Sequence, residues 1–167
     1  TEILLHTKPT VYEEGEVVER GETAVCNLAS INLSNHVKVR TIDWKKLKET
    51  VEVAIRGLDN VIDLNFYPTE EARNSNLKHR PIGLGIMGTH DVLHKLGIPY
   101  DSDEAVALCD KIQEFISLHA IRSSALLAKD RGAYKSYEGS EWHKGHMPID
   151  TYCEMMNDRR PPSVGDD

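Results

Sequence analysis

The sequence has no long apolar run, few cysteines and no excess of basic residues. A membrane-spanning helix needs about 20 consecutive apolar residues, and no segment approaches that length. With no recognisable signal-peptide pattern either, no membrane association is expected. The three cysteines lack framework spacing, which excludes a secreted disulfide scaffold and favours a reducing cytoplasm. A net charge of −7 argues against a nucleic-acid-binding surface, because acidic residues repel phosphate.

What remains is the composition of a globular protein. The chain has 167 residues, of which 40% are hydrophobic and 28% are charged, and this is enough to bury one core. We find no internal repeat, low-complexity tract or clear domain boundary, so residues 1–167 are interpreted as one unit. Residues 158–167, which contain Arg-Arg-Pro-Pro, are typical of a linker or of a truncated end.

Apolar residues recur at helical spacing in two long stretches and two short ones. The predicted helices cover residues 44–64, 89–96, 103–131 and 149–157. Asp43 is expected to cap the first helix, and Asp101 or Ser102 the third. Gly97 and Gly132 are placed where helices end, because glycine readily adopts left-handed backbone angles. A single further helical turn is assigned to residues 70–73, ahead of a polar stretch.

The strand predictions rest on short apolar runs bounded by glycine, proline and polar residues. Strands are expected over residues 2–7, from about residue 24 onward, and over residues 82–88. Residues 8–22 contain two glycines, one proline and five glutamates, and are expected to form an exposed loop or hairpin. Strands alternating with helices indicate the α/β class.

The stretch at residues 23–35 combines strand-forming residues with polar groups that a core strand would avoid. These polar groups are Cys26, Asn27, Ser30, Asn32 and Asn35. An unpaired buried polar group costs about 1–3 kcal/mol, so several in one strand indicate a polar site at its end. The alternative from these residues alone is a strand that runs into a turn and carries a structural cysteine.

Gly83, Gly85 and Gly88 have the spacing of a dinucleotide-binding fingerprint. That fingerprint needs an apolar strand before the glycines and a helix that opens within them. Because the preceding residues are mostly polar, we favour a strand whose glycines allow close approach of another chain segment or a ligand. A nicotinamide-dependent oxidoreductase that uses residues 83–88 is the alternative.

Two sets of side chains have the residue types of a metal site but not its usual spacing. His90 and His94 lie one helical turn apart, but the metalloprotease pattern needs Glu where Asp91 stands. The second set is His143, His146 and Cys153. Neither set is assigned a metal. Cys109 falls on the apolar face of a predicted helix and is interpreted as an inert core residue.

Several longer motifs occur in the order found in one enzyme family. Residues 26–33 read Cys-Asn-Leu-Ala-Ser-Ile-Asn-Leu, and residues 80–88 read Arg-Pro-Ile-Gly-Leu-Gly-Ile-Met-Gly. Further motifs lie at residues 58–68, 74–77, 98–102 and 125–132. Thr1-Glu2-Ile3 is similar to the end of an Asn-Leu-Cys-x-Glu motif. The chain thus resembles the large (alpha) subunit of class I ribonucleotide reductase.

This resemblance implies a fold and a reaction. The family fold is a ten-stranded α/β barrel, of which residues 1–167 would form part. A thiyl radical on the cysteine that would precede Thr1 removes the 3′-hydrogen of a ribonucleoside diphosphate. Glu2 is implied as the base that takes the proton of the 3′-hydroxyl group. Cys26 is implied as one thiol of the redox-active pair that reduces the substrate.

The resemblance also implies which parts lie outside this segment. The segment itself is expected to bind no cofactor, because the radical comes from a metal-containing small subunit and ATP or dATP effectors bind elsewhere. Expected partners are the rest of the large subunit, a second large subunit in a homodimer, and thioredoxin or glutaredoxin. The partner thiol of Cys26 and the phosphate-binding residues are also expected elsewhere, so the isolated segment should be inactive.

Other hypotheses remain open on the sequence. A cobalamin-dependent (class II) reductase carries out the same radical-based reduction, although the sequence motif Leu-Ala-Ser-Ile-Asn-Leu favours class I. A non-catalytic fragment that only completes a larger barrel would differ in activity and not in ancestry. The start at Thr1, directly after the expected radical cysteine, suggests the downstream extein of an intein. A partial gene or a truncated protein would explain the same ends.

Overall fold

The computed structural model describes residues 7–155, in which five short strands precede the first α-helix and a sixth lies between the second and third. The strands are β1 (Val11–Glu13), β2 (Glu16–Glu19), β3 (Asn27–Asn32), β4 (Val37–Lys38), β5 (Thr41–Ile42) and β6 (Ile82–Met87). The helices are α1 (Trp44–Leu64), α2 (Glu70–His79), α3 (Thr89–Leu96), α4 (Asp103–Arg131), α5 (Glu141–Lys144) and α6 (Pro148–Met155). Across this range, no helix is both long and apolar enough to cross a bilayer.

The central feature is a parallel pair formed by β3 and β6. The register runs from Asn27 beside Ile82 to Asn32 beside Met87 without a break. Parallel strands need a long crossover connection, and the chain between them contains both α1 and α2. This β–α–β arrangement confirms the α/β class predicted from the sequence.

The strands of residues 7–155 form three separate two-stranded sheets and do not close a barrel. Besides the β3–β6 pair, β1 pairs with β2 and β4 pairs with β5, both antiparallel. The β1–β2 connection passes through Glu14 and Gly15, both with positive φ angles, as a tight hairpin turn requires. The hairpin expected within residues 8–22 is therefore confirmed.

The two faces of the β3–β6 pair have different surroundings. On one face Ile31 is buried in the core that α1 covers. On the other face Leu28 is 63% exposed, because successive side chains of a strand point to opposite sides. The register places Gly83 and Gly85 beside Leu28 and Ser30 on this second face. The glycine-bearing strand expected over residues 82–88 is thus present as β6.

The core lies between the β3–β6 pair and helices α1, α3 and α4. It contains Ile31, Leu33, Ile42, Leu47, Val51, Ile55, Val92, Ile112 and Ile116. The helices α1 and α4 pack along each other, and the rings of Trp44 and Phe115 meet with centroids 4.9 Å apart. His119 is half-buried one turn further along α4, and desolvation by burial holds its pKa below the ordinary value. Its ring contacts that of Phe115, with centroids 4.4 Å apart.

Helix boundaries follow the capping residues closely. Asp43 accepts a hydrogen bond from the Lys46 amide at 3.0 Å, and Ser102 accepts one from the Ala105 amide at 3.1 Å. Of the two residues predicted as possible caps of α4, Ser102 is the one that caps it. Gly97 has a φ angle of +76° at the end of α3, in the left-handed region that favours glycine. The predictions for α1, α3 and α4 are confirmed at both ends.

The prediction for residues 70–79 was wrong in its length. One helical turn was expected over residues 70–73, but α2 continues through the polar stretch to His79. Ser75 and Asn76 are its buried residues together with Ala72, so its inner face is mostly polar and lacks the apolar periodicity that predicts helices. Asn76 donates to the Tyr67 hydroxyl, whose own hydrogen bond goes to the Ile62 carbonyl.

The remaining elements include some that differ from expectation and one that falls outside the described range. Ala24 and Val25 were expected in a strand, but β3 begins only at Asn27. The chain at Ala24 is held instead by a hydrogen bond from its amide to the Thr7 hydroxyl at 3.1 Å. Helix α5 was not predicted, whereas α6 matches the helix expected near residues 149–157. The strand expected over residues 2–7 falls almost entirely outside the described residues.

Leu47→Ala tests the α1 core contact. Leu47 is fully buried in the middle of the core, so truncation removes apolar contacts and leaves a cavity. We expect the free energy of unfolding, measured by urea titration, to fall by about 2–5 kcal/mol. Lys45→Ala, at an exposed position in the same helix, is the control and should change it by less than about 0.5 kcal/mol. Equal effects would contradict the packing described for α1.

Candidate active site around Cys26

Cys26 lies directly before the amino end of β3. Its thiol is half-buried and donates to the Asn27 carbonyl at 3.5 Å. Cys109 lies in α4 and Cys153 in α6, and all three residues are thiols rather than halves of a disulfide. Of the three, Cys26 is the one that lies next to the β3–β6 pair, and its role as the reactive cysteine stays a prediction.

Asn27 gives this end of β3 a polar character. Its Nδ2 group is buried and finds no hydrogen-bond partner among residues 7–155. A buried donor of this kind costs about 1–3 kcal/mol when it is left unpaired. A buried polar group at Asn27 is consistent with the prediction of a polar site at the end of this strand. Asn27 shares the core-facing side of β3 with Ile31, because it lies four positions before Ile31 in the strand.

Helix α2 holds the chain that leads to Cys26. The Thr23 amide donates to the Glu71 carbonyl at 3.1 Å. One helical turn further on, the Asn74 side chain donates to the Gly21 carbonyl at 3.0 Å and to the Arg20 carbonyl at 3.3 Å. These contacts satisfy backbone groups that have no strand partner at this point. They fix the path of residues 20–23 against one side of α2.

A buried carboxylate completes this attachment. Glu22 is 3% exposed, and its two oxygens contact the Lys78 ammonium group and the His79 ring. His79 Nε2 lies 2.5 Å from the carboxylate, and Nδ1 lies 2.7 Å from the Ser136 hydroxyl. We call Glu22, Lys78, His79 and Ser136 the Glu22 clamp. It joins the approach to Cys26, the end of α2 and the segment after α4.

The clamp keeps Glu22 ionised despite its burial. Burial raises the pKa of the carboxyl group, but the hydrogen bonds and positive charge of Lys78 and His79 outweigh that effect. The pKa of Glu22 is therefore lowered from its ordinary value of 4.5. At neutral pH the Glu22 carboxyl group is therefore negatively charged in the folded protein.

Sequence reasoning missed Glu22 because it lies in a stretch rich in glutamate that was expected to be exposed. The one available signal was its neighbour Gly21. A side chain at Gly21 would place its Cβ only 2.5 Å from the Lys8 carbonyl oxygen. Lys8 and Glu22 also exchange two backbone hydrogen bonds, at 2.8 and 2.9 Å. The chain is packed too closely here for any residue except glycine.

A second ionic group fixes the start of β6. Arg80 donates to Asp59 at 2.7 and 3.0 Å and to Asp63 at 2.8 and 2.9 Å, both at the end of α1. These contacts raise the pKa of the guanidinium group. Arg80 has a φ angle of 48°, a left-handed conformation that costs energy in a residue other than glycine. Arg131 adds a further contact to Asp59.

The structure contradicts the dinucleotide-binding alternative for the glycines. Gly83 and Gly85 lie inside β6, and α3 begins only at Thr89, after Gly88. In a dinucleotide fingerprint the glycines form the turn and the helix opens among them, so that its amide groups face the pyrophosphate. Here only Gly88 occupies a turn, with a φ angle of +76°.

The histidines that were considered as metal ligands have other contacts. His90 and His94 are exposed on α3, and the His90 ring stacks on Tyr100 with centroids 5.5 Å apart. His143 Nδ1 accepts from the Gly139 amide at 2.9 Å, and His146 lies 3.0 Å from the Glu141 carboxylate. Across residues 7–155, no group of three or more His, Cys, Asp or Glu side chains is arranged to hold a metal ion.

Glu2 lies outside the described residues. Its assignment as a base stays a prediction from the resemblance.

Comparison with known proteins identifies the chain's relatives. The family model described as "Ribonucleotide reductase, barrel domain" matches residues 1–164. The ribonucleoside-diphosphate reductase subunit alpha of Chlamydia pneumoniae is 56% identical over 139 residues, which are 83% of this chain and 13% of the relative. That of Helicobacter pylori strain 26695 is 48% identical over 147 residues, which are 88% and 18%.

A eukaryotic relative has similar coverage. The ribonucleoside-diphosphate reductase large chain of Neurospora crassa is 44% identical over 133 residues, which are 78% of this chain and 14% of that protein. The chain thus spans less than a fifth of the length of each of these relatives.

The Glu22 clamp predicts a specific pH dependence of stability. A carboxyl group whose pKa is lowered by folding stabilises the protein fully above its unfolded pKa, which is near 4.5. That stabilisation is lost as the pH falls through the lower pKa of the folded state. Glu22→Gln should reduce the unfolding free energy at pH 7 by about 1–3 kcal/mol and by progressively less in acid. Urea titrations across pH would check this, and a constant difference would contradict it.

Proposed function

Because the chain belongs to the ribonucleotide reductase barrel-domain family, we propose that it is an internal segment of the catalytic barrel of a ribonucleoside-diphosphate reductase alpha subunit. The proposed activity is the reduction of ribonucleotides to deoxyribonucleotides for DNA synthesis. The observation that carries it is Cys26, which lies directly before the amino end of β3 in the parallel strand pair and begins the motif Cys-Asn-Leu-Ala-Ser-Ile-Asn-Leu. The chain that leads to Cys26 is held by α2, and β6, the strand beside β3, is held by Arg80.

In this proposal Cys26 supplies reducing equivalents. The substrate loses its 2′-hydroxyl group as water and gains a hydrogen at that carbon. Cys26 and a partner thiol from elsewhere in the subunit together lose two hydrogens and end as a disulfide. Such a bond forms only between two sulfurs about 2 Å apart, so the position of Cys26 relative to its partner controls the reaction. Thioredoxin or glutaredoxin would reduce the disulfide after each turnover.

Glu2 is proposed as the general base of the same reaction. In the family motif that Thr1-Glu2-Ile3 resembles, the radical cysteine stands two residues before the glutamate, and residues i and i+2 of a strand face the same side. The radical and the carboxylate would then reach one ribose together. The carboxylate takes the proton of the 3′-hydroxyl group while the 2′-hydroxyl group leaves as water.

The surface of the structure supports assembly with the rest of a large subunit. Leu28 and Met87 are more than half exposed on the open face of the β3–β6 pair, and Phe66 after α1 is 84% exposed. Parallel sheets are normally covered on both faces, so this face fits the inside of a larger barrel. We propose that residues 1–167 form part of that barrel.

The partners beyond the barrel are inferred from the names of the relatives. Relatives named "subunit alpha" or "large chain" favour an enzyme with a separate second subunit over the cobalamin-dependent alternative. We propose that this second subunit supplies the radical from a metal centre and that alpha subunits pair as a homodimer. ATP or dATP effectors would bind outside this segment.

Cys26→Ser tests the assignment of the thiol in the intact subunit with its radical-generating partner. Serine has nearly the shape of cysteine but cannot form a disulfide, so substrate binding should persist while reduction fails. The 3′-hydrogen should still be removed, after which the reaction stalls. We expect release of free base and loss of the radical without deoxynucleotide, measured by chromatography and electron paramagnetic resonance.

Cys109→Ser and Cys153→Ser are the matched controls. Cys109 belongs to α4 and Cys153 to α6, and neither is part of β3 or β6, so turnover supported by dithiothreitol should be largely retained. Multiple turnovers by the Cys26→Ser enzyme would refute both the site and the proposed function.

Glu2→Gln tests the proposed base in the same intact enzyme. Glutamine keeps the shape of the side chain but cannot accept a proton. Because a general base contributes about 10²–10⁴-fold, kcat should fall by that factor while KM stays nearly unchanged. Glu13→Gln, at an exposed position in β1, is the control. A fall in kcat of less than about tenfold would show that Glu2 is a structural acid.

A further inference from the structure

We infer that Glu22 is a positioning residue for Cys26, acting through its buried contacts with Lys78 and His79. The catalytic consequence rests on the proposed function, whereas the positional claim rests on geometry alone. Glu22 precedes Cys26 by one short, non-helical segment, and its side chain is directed away from solvent. It therefore acts on the thiol through the backbone of residues 22–26.

The Cys26 segment is tied at both ends to the same stretch of chain. At one end Glu22 contacts Lys78 and His79. At the other end Asn27 pairs with Ile82. Cys26 lies between these two attachments. The chain from Glu22 to Asn27 is longer than the chain from His79 to Ile82, to which it is attached at both ends. Both attachments are therefore needed to define the path of the longer chain.

The opposite stretch, from His79 to Ile82, is itself rigidly held. Arg80 is fixed by charge-assisted hydrogen bonds to Asp59 and Asp63. His79 is held from its other ring nitrogen by Ser136. His79 is therefore anchored to the segment after α4, and its neighbour Arg80 is anchored to α1, so this stretch should keep its place when the Glu22 carboxylate is removed.

The other attachments of residues 20–24 are weaker than the Glu22 clamp. They are backbone hydrogen bonds between Lys8 and Glu22, hydrogen bonds from Thr23, Ala24 and Asn74, and a partly exposed ion pair between Arg20 and Glu71. Each hydrogen bond contributes about 0.5–1.5 kcal/mol. A buried carboxylate with two charged or ring N–H partners is a stronger restraint. Loss of Glu22 should consequently shift the segment without unfolding the α1–α4 core.

A shift of the segment matters because disulfide formation tolerates little error. A misplacement of about 1 Å in reacting groups can lower a rate by about 10²-fold. Removing the clamp should therefore lower the yield of deoxynucleotide while substrate affinity, which depends on other residues, changes little. The early 3′-hydrogen step does not use Cys26 and should continue.

The experiment compares Glu22→Ala and Glu22→Gln with Glu19→Gln in the intact, reduced subunit. Glu19 is exposed in β2 and serves as the matched control. The first measurement is the rate of alkylation by iodoacetamide at Cys26 and, separately, at Cys109, read by mass spectrometry of the two peptides. The second is the ratio of deoxynucleotide to released base, together with kcat and KM.

For Glu22→Ala we expect at least a threefold change in alkylation rate at Cys26, no change at Cys109, and about a tenfold or greater fall in kcat at constant KM. Glu22→Gln keeps the acceptor oxygen and should recover part of the loss. Glu19→Gln should match the wild type in every measurement.

The outcomes separate the inference from the proposed function. Wild-type alkylation and product ratios in Glu22→Ala would overturn the inference and leave the proposed function intact. Equal changes at Cys26 and Cys109 would also overturn it, because Glu22 would then stabilise the whole fold rather than the Cys26 segment. If the wild-type enzyme reduced no ribonucleotide, the proposed function would fail, and the alkylation rates alone would decide the positional claim.

Discussion

The parallel pairing of β3 with β6 is the interaction on which the rest of the structure depends. Parallel strands cannot be joined by a tight turn, so the chain must leave the sheet, form a crossover and return. That crossover contains α1 and α2. Helix α1 covers one face of the pair and builds the core with α4, whereas α2 lies along the chain that enters β3. The strand pairing thus determines where both helices lie relative to Cys26.

The two sides of this arrangement are stabilised by different kinds of contact. Around α1 and α4 the contacts are apolar, and Leu47, Val51 and Ile62 are fully buried. Around the amino ends of β3 and β6 they are ionic, with Glu22 bound to Lys78 and His79, and Arg80 bound to Asp59 and Asp63. Apolar contacts are non-directional, but charged hydrogen bonds define the angle as well as the distance. The ionic groups lie at the end of the strand pair where Cys26 is placed.

The energetic cost of this design lies in the buried polar groups. Glu22 is nearly inaccessible to water, Arg80 adopts a left-handed backbone conformation, and Asn27 carries a buried amide with no partner among residues 7–155. Each of these features is unfavourable by itself and persists only where its surroundings impose it. The partners of Glu22 offset the cost of its burial, whereas the backbone of Arg80 and the amide of Asn27 remain unfavourable local features at this end of the strand pair.

The sequence by itself determined the long helices, their caps and the glycine-bearing strand, and it carries the family resemblance from which the role of Cys26 is proposed. Periodic apolar residues in α1 and α4, with Asp43 and Ser102 before them, are local signals that tertiary contacts did not override. Helix α2 and the Glu22 clamp were decided only by the tertiary structure. The inner face of α2 is polar, and Glu22 lies among four other glutamates in residues 8–22. The reason is physical: whether a carboxylate is solvated or buried depends on cations from distant parts of the chain, and no local pattern records their approach.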